Sequence, residues 1–345
     1  MEALILAGGK GTRLRPLTVY TPKPIVPVMN RPFLLFQLEA LARAGITDIT
    51  LSLSYQPNKI EDVLGDGSDH GVRIRYVTEP NPMGTGGAYK FAAAGGKTTV
   101  VFNGDILIDA DVLKIIRHHQ ESNANATIAL TPVDDPSRYG LVETDTDGNV
   151  KRFLEKPKPE EIASLGTNLI NAGIYVLEPA ILDLIPAGIN SSFEYNVFPE
   201  ILARGMRFST YSLAGTYWRD IGTPDSYLKA HLDFLANKIG GLVHDNSAQN
   251  EIATTATIDE KSMIAEGCVI KPNAKVTNSV IGAGVHIEEK AVIENSVIWQ
   301  HSRISTFAEV RGAIIGRGCH IGRNAVVGEG TVLGDKASLP DYSKV

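Results

Sequence analysis

The sequence predicts an α/β domain with a largely parallel, Rossmann-like sheet, followed by a β-helix. Three observations carry that prediction. Short apolar runs alternate with helical patterns over residues 1–230, a glycine-rich loop follows the first of those runs, and branched aliphatic residues recur with a period near six from residue 252 onward. A chain of 345 residues suits two domains better than one core. The expected division is a first domain over 1–235, a linker over 236–250 with Gly240-Gly241 as its breaker, and a second domain over 251–345.

The elements follow in order. Ala3–Ala7 reads as a strand that runs into the glycine loop. Over Pro32–Gly45, the residues Phe33, Phe36, Leu38, Leu41 and Ala44 mark one helical face, and the glycine stops it. Ile49–Leu53, Arg73–Val77, Thr98–Phe102, Thr127–Thr131, Gly173–Leu177 and Phe208–Leu213 read as strands, with a helix over Ala110–His119. In such sheets ligands sit at the carboxyl ends of the strands. Asp105 stands there, and Asp109 is better placed than Asp105 to cap the helix that follows.

In the second half, aliphatics stand at Ile252, Ile258, Ile264, Ile270, Val276, Ile281, Ile287, Ile293, Ile298, Ile304, Val310, Ile315, Ile321, Val327, Leu333 and Leu339, at steps of six or five. A helix needs 3.6 and a hairpin needs loops, so the period is that of a β-helix, three repeats to a coil and about five coils in all. Glycines after several of the aliphatics (Gly282, Gly316, Gly322, Gly328, Gly334) fit a tight corner. The pattern resembles the left-handed hexapeptide-repeat β-helix. Cys268 and Cys319 share a repeat position three coils apart, roughly 14 Å at the spacing of stacked strands. A disulfide needs Cα atoms within about 7 Å, so both read as small core residues.

Composition excludes several function classes. Hydrophobic residues are 43% and charged residues 21%, which is no disordered chain. The net charge of −6 offers no basic excess for nucleic acid or an anionic membrane, so an anionic ligand must be met by a few placed cations. No window approaches 18 apolar residues, and the apolar run Met1–Ala7 is too short for a signal peptide. The expected location is the cytoplasm.

The chemistry concentrates in Gly8-Gly9-Lys10-Gly11-Thr12-Arg13-Leu14-Arg15-Pro16-Leu17-Thr18, followed by Thr21-Pro22-Lys23-Pro24. This is neither a Walker A loop nor a dinucleotide fingerprint, but the physical logic is similar. Three glycines let backbone N–H groups approach a phosphate chain, Arg13 offers a planar fork, and Lys23 a mobile point charge. The string resembles that of the sugar-1-phosphate nucleotidyltransferases. Asn103-Gly104-Asp105, Tyr139-Gly140, Phe153-Leu154-Glu155-Lys156-Pro157, Asn171-Ala172-Gly173-Ile174-Tyr175 and Trp218-Arg219-Asp220-Ile221-Gly222-Thr223-Pro224 agree with that family. The likeness covers nearly the whole chain, and within the family it is nearest to the mannose-1-phosphate guanylyltransferases of the short β-subunit type.

The resemblance implies a reaction and a division of roles. A sugar 1-phosphate attacks the α-phosphorus of a nucleoside triphosphate and pyrophosphate leaves, so catalysis is positioning plus charge neutralisation. Leu6, Gly8, Gly9, Gly11, Thr12, Glu79, Gly84 and Thr85 would hold the nucleotide. Arg13 and Lys23 would neutralise the pyrophosphate, and Asp105 and Asp220 would hold Mg²⁺. Lys156 would hold the sugar phosphate, while Gly140, Glu155 and Asn171 would bind the sugar hydroxyls.

The base and the sugar rest on finer detail. Relatives that use uridine or thymidine nucleotides usually have glutamine at Glu79, five residues before the glycine that matches Gly84. Guanine presents N1–H and N2–H₂ side by side, and a carboxylate accepts from both. Uracil and thymine present a carbonyl there, which a carboxylate leaves unpaired at about 1–3 kcal/mol. Glu79 therefore argues for GTP. The loop reads Gly84-Thr85-Gly86-Gly87-Ala88 where the eukaryotic mannose enzymes usually have alanine at Gly86. The same glycine string occurs in heptose-1-phosphate guanylyltransferases, which generally lack the β-helix. A glucose pyrophosphorylase using UTP, dTTP or ATP, a cyclitol-phosphate enzyme and a non-catalytic regulatory paralogue are the alternatives; the last typically loses motif residues that this chain keeps. The tail carries no inserted loop and His286, His301 and His320 read as solvated, so it is expected to serve packing and homo-oligomer assembly rather than acyl transfer.

Overall fold

Nine strands form the main sheet of the chain, whose structure is a computed structural model describing residues 1–240 and 249–345. They are β1 (Glu2–Leu6), β2 (Asp48–Leu53), β3 (Arg73–Thr78), β4 (Thr99–Asn103), β5 (Ala126–Pro132), β6 (Gly140–Thr144), β7 (Val150–Glu155), β8 (Leu169–Leu177) and β9 (Phe208–Ser212). The sheet order is β7-β6-β8-β4-β1-β2-β3, with β5 beside β8 and β9 beside β5. Strands β4, β1, β2 and β3 are parallel, as are β5 and β9. The largely parallel sheet expected from sequence therefore holds for one half only. Strand β8 runs antiparallel to β4, β5 and β6, and β7 antiparallel to β6. For β7 the reason is local: Asp145 accepts from the backbone N–H groups of Asp147 and Asn149, and this short turn between β6 and β7 permits only an antiparallel return.

By contacts the described chain divides into two units, one of Met1–Gly9 and Leu34–Trp218, the other of Lys10–Phe33 and Arg219–Val345. The first, the sheet unit, carries helices α1 (Leu34–Arg43), α2 (Pro57–Leu64), α3 (Gly84–Ala92), α4 (Val112–Glu121), α5 (Pro159–Leu165) and α6 (Phe198–Ala203). Helix α1 buries Leu34, Leu35, Leu38 and Leu41; of the face read from sequence Leu38 and Leu41 are buried in it, Phe36 and Ala44 are only partly buried, and Phe33 is buried just before the helix starts. Helix α4 starts later than expected: its cap is Asp111, which accepts from the Leu113 N–H, and neither Asp109 nor Asp105. The core holds a cluster of aromatics, in which Phe193 and Phe198 stack and Tyr175, Tyr89 and Phe208 pack against them at ring distances of 5.1–5.7 Å.

The second, the β-helix unit, holds helix α7 (Pro224–Leu235) and three parallel sheets. All sixteen aliphatics read from the sequence lie in these strands, and between Ile264 and Val327 every one is buried. Coils repeat at seventeen or eighteen residues, as in Ile270 pairing Ile287 and Ile252 pairing Ile270. The five-residue steps all fall at one corner, where Asn278, Asn295 and Gly312 take left-handed backbone. The glycines after the aliphatics do something else than turn. A Cβ on Gly282, Gly316 or Gly322 would meet backbone of the next coil at 2.5–2.7 Å, so these residues permit close stacking. Cys268 and Cys319 are buried free thiols, and His286, His301 and His320 are exposed, as expected. Buried Ser262, Ser279 and Ser296 form a ladder in which each hydroxyl accepts the N–H one coil on.

Residues 241–248 of the expected linker, Gly241 included, lie outside the described residues. Among the described residues no helix is long and apolar enough to cross a membrane.

His231 on α7 yields a prediction. It is fully buried against the Tyr227 ring, and its Nδ1 meets the Tyr227 carbonyl at 2.9 Å. Burial lowers its pKa from 6.5 to about 4. The unfolded chain therefore takes up this proton first, and stability falls as pH drops from about 6.5 to about 4, by roughly 3 kcal/mol in all. Denaturant unfolding across that window should show this slope, and His231→Gln should flatten it.

Candidate active site

In the sheet unit the parallel strands β1 and β4 end side by side. Leu6 closes β1, and its carbonyl accepts the Gly104 N–H at 2.9 Å. A Cβ on Gly104 would stand 2.7 Å from that oxygen, so only glycine brings Asp105 to this point. Gln37 on α1 braces the other side, donating to the carbonyls of Asn103 and Ile106. Asp105 is thus a half-buried carboxylate on a turn held from two directions. After β1, Gly8 is pressed against Glu79, whose Oε1 a Cβ would approach at 2.9 Å. At Gly9 a Cβ would meet nothing within 4 Å. Packing does not demand glycine there, so an open backbone is offered to whatever approaches from outside.

Glu79 is buried rather than pointing to solvent. Its Oε1 accepts from Ser52 Oγ at 2.9 Å and its Oε2 from the Met83 N–H at 3.1 Å. It therefore ties β2 to the entry of α3 and lines Gly8, with one lone pair left on each oxygen. The loop Gly84-Thr85-Gly86-Gly87-Ala88 forms the start of α3. Gly84 there has φ +70, and its Cβ would meet the Ser191 carbonyl at 2.4 Å. Gly86, the departure from the eukaryotic pattern, has a local cause: a Cβ would stand 2.9 Å from Val197. Thr85 donates to Glu194 Oε2 at 3.0 Å and accepts from the Phe193 N–H at 2.8 Å.

Glu155 stands opposite Gly140 in the β6–β7 pair, and a Cβ on Gly140 would come within 3.0 Å of its Oε2. Burial first, then the Glu194 carboxylate, push the Glu155 carboxyl above its usual range, while Lys156 pulls the other way. Lys156 follows with its Nζ 3.6 Å from Glu155 Oε1, largely exposed, and its backbone is left-handed at φ +49 directly before Pro157. A residue before proline favours extended backbone, so this conformation is strained, as functional positions often are. Asn171 sits at the β8 bulge: its Oδ1 accepts the Gly173 N–H at 2.9 Å and its Nδ2 donates to Tyr175 Oη at 2.8 Å. Both of its polar atoms thus serve the bulge.

In the β-helix unit, Gly11 has φ +61, and a Cβ there would come 3.0 Å from that of Lys23. Thr18 donates to the Gly11 carbonyl at 2.7 Å, closing the loop on itself. Thr12 and Arg13 form a single 3-10 turn, and Lys23 opens another and is buried. Arg13 Nη2 lies 3.8 Å from Asp220 Oδ2, with Arg13 mostly exposed and Asp220 17% exposed. Gly222 permits this approach, since a Cβ would stand 2.8 Å from the carboxylate and 2.9 Å from the guanidinium. The Asp220 carbonyl accepts from Ser226, and Thr223 caps α7 by accepting the Ser226 N–H. Arg219 and Lys238 both reach Asp233 at 2.7 Å, so the residue beside Asp220 is fastened to α7.

Sequence reading missed Glu194 and Tyr175. Tyr175 is fully buried, and its hydroxyl gathers Asn171 and Asn103. Glu194 lies in a π-turn (Phe193–Val197) that Ser192 caps, a form common at functional sites. Its one local signal is the serine directly before Phe193; its neighbours Thr85 and Glu155 are far away in sequence.

Comparison with known proteins agrees with this fold. Residues 2–237 match the family model described as nucleotidyl transferase, and residues 244–345 that described as EIF2B subunit epsilon LbH domain, which makes the β-helix a left-handed one. The chain is 38% identical over 308 residues to mannose-1-phosphate guanylyltransferase of Mycobacterium tuberculosis, covering 85% of this chain and 83% of that one. It is 37% identical over 352 residues to mannose-1-phosphate guanyltransferase of Pichia angusta, covering 99% and 93%. Among solved structures, a putative glucose-1-phosphate thymidylyltransferase from Bacillus anthracis matches with a TM-score of 0.62 at 26% identity, covering 70% of this chain and 98% of that one.

The carboxylate pair gives a prediction. Glu194→Gln removes the like charge beside Glu155, so the Glu155 carboxyl should titrate at lower pH in ¹³C NMR of labelled protein. An unchanged midpoint would leave burial as the whole cause.

Proposed function

The chain belongs to the nucleotidyl transferase family as a sugar-1-phosphate nucleotidyltransferase, and on that premise we propose that it joins GTP and mannose 1-phosphate, with Mg²⁺, into GDP-mannose and pyrophosphate. The observation that carries the choice of base and sugar is the identity of 37–38%, over most of both chains, to relatives named for that reaction. Glu79 supports the base: it is a buried acceptor-only group beside the glycine loop, with lone pairs to spare for the two adjacent donors of guanine.

The residues divide the work. A phosphate oxygen of the sugar phosphate attacks the α-phosphorus, and the bond from that phosphorus to the bridging oxygen breaks as pyrophosphate leaves. Gly8, Gly9, Gly11 and Thr12 present backbone N–H groups to the triphosphate, and Arg13 and Lys23 meet the charge that builds on the leaving group. Lys156 holds the attacking phosphate, and Glu155, Gly140 and the Asn171 bulge shape the sugar pocket. Leu6, Gly84 and Thr85 frame the nucleoside.

The donor set fits Mg²⁺. Asp105 and Asp220 are carboxylates, the hard ligands this ion takes together with phosphate oxygens. Among the described residues no three His, Cys, Asp or Glu side chains form a cage of their own, which suits an ion that arrives with its phosphates. Bound there, it supplies positive charge to the phosphate chain. Asp220 already faces a cation in Arg13, and because that guanidinium is mostly exposed the pair costs little to exchange for metal and phosphate. Assembly of copies through the β-helix belongs to the same reading, supported by its first strand, Glu251–Ile252, which is exposed at the end of its sheet.

Pyrophosphate release is the test, with GTP, UTP, dTTP and ATP each paired with mannose, glucose and heptose 1-phosphates in Mg²⁺. GTP should win by about tenfold or more, matching one unpaired acceptor. A win for dTTP with glucose 1-phosphate would favour the activity named for the Bacillus anthracis protein instead. Lys23→Ala and Asp105→Ala should each lower turnover by about 10²-fold or more with the fold intact. Near-normal turnover in both would sink the assignment of roles.

A further inference from the structure

The segment Lys10–Phe33, which carries Gly11, Thr12, Arg13 and Lys23, packs in the same unit as α7 and the β-helix. Three contacts make the join. Asn30, at the turn of the hairpin formed by Pro27-Val28 and Arg31-Pro32, donates its Nδ2 to the Ile281 carbonyl at 3.0 Å. Gly334 approaches the start of the segment so closely that a Cβ would stand 3.0 Å from that of Pro16. Trp299 donates from Nε1 to Tyr227 Oη at 2.9 Å, and the Tyr227 hydroxyl donates in turn to the Pro27 carbonyl, four residues from Lys23. Trp299 is 2% exposed and Tyr227 fully buried, their rings edge to face.

The repeat itself marks Trp299 as an exception. In the third sheet Ile264, Ile281, Ile298, Ile315 and Leu333 pair in register. The residues that follow them are Ala265, Gly282, Trp299, Gly316 and Gly334. Four coils place alanine or glycine where the coils stack closely, and one places the largest side chain. Nothing in β-helix packing asks for an indole there. Its buried N–H finds its partner outside the coil, on the phenol that holds the segment.

We infer that Trp299 and Tyr227 are positioning residues for nucleotidyl transfer: through the Pro27 carbonyl they hold the segment that presents Arg13 and Lys23 to the phosphates. The β-helix is then part of the catalytic scaffold and not only an assembly module. This rests on the roles proposed above for Arg13 and Lys23.

The test is Tyr227→Phe in the full-length protein, which keeps the ring and removes both hydrogen bonds. Trp299→Phe is its companion. Two readouts are taken beside the melting temperature. Without ligand, amide hydrogen exchange over residues 10–33 should be faster in both variants, while exchange in the β-helix strands stays as in the wild type. In turnover, kcat/KM for the nucleoside triphosphate should fall by about tenfold, the size expected for one or two hydrogen bonds, with KM for the sugar phosphate unchanged. A purely structural role would lower the melting temperature and the active fraction, leaving both KM values and exchange in 10–33 as they were, and that result overturns the inference. So does faster exchange with unaltered kcat/KM. A wild-type protein that releases no pyrophosphate with any substrate pair overturns the proposed function instead, and does so before any variant is made.

Discussion

The sheet unit depends on how closely the ends of β1 and β4 approach each other. The hydrogen bond from the Gly104 N–H to the Leu6 carbonyl fixes that distance, and it exists because residue 104 has no side chain. From this one contact follow the placement of Asp105, the exit direction of the glycine loop, and the position of Asn103 against Tyr175. The same logic recurs at Gly140, where the missing side chain leaves room for the Phe153 ring and, beside it, for Glu155 across the strand pair. The acidic groups are thus placed by backbone closeness, and the backbone bears the precision that catalysis by positioning requires.

Charge in the candidate site is arranged as neighbouring pairs rather than as a field. Arg13 faces Asp220, and Lys156 faces Glu155. With a net charge of −6, the chain as a whole offers no attraction to a triphosphate. Placed cations with carboxylate neighbours keep the free protein balanced, and such pairs can be parted at small cost because one member of each remains in water.

Much of the fold was legible in the sequence, and the reason differs between the halves. The β-helix follows from a period that each coil repeats, so sixteen aliphatic positions could be read one by one. In the sheet, buried strands such as β4 announce themselves as apolar runs. Strands β6 and β7 do not, because Glu143 in the one and Lys151, Arg152 and Glu155 in the other interrupt their apolar residues. The parts of the site that are fixed by chain-local motifs, such as the glycine loop and Glu155-Lys156, could be placed from sequence. Glu194 could not, since its meaning arises only where Thr85, 109 residues earlier, meets it. Asn171 was legible as a position, but its commitment to the β8 bulge emerges only from the register shift.

The mixed coil length has an evolutionary reading. Three coils shorten to seventeen residues at the same corner, where Asn278, Asn295 or Gly312 makes the turn, while the first and last coils keep eighteen. Both lengths coexist in one stack with the aliphatic columns aligned. That corner is an expansion joint. A residue gained or lost there in descent changes only the bend, whereas a one-residue slip inside any strand would turn its aliphatic outward. Length variation among β-helices of this kind should therefore accumulate along a single edge of the prism, leaving the other two edges and all three faces to diverge by substitution alone.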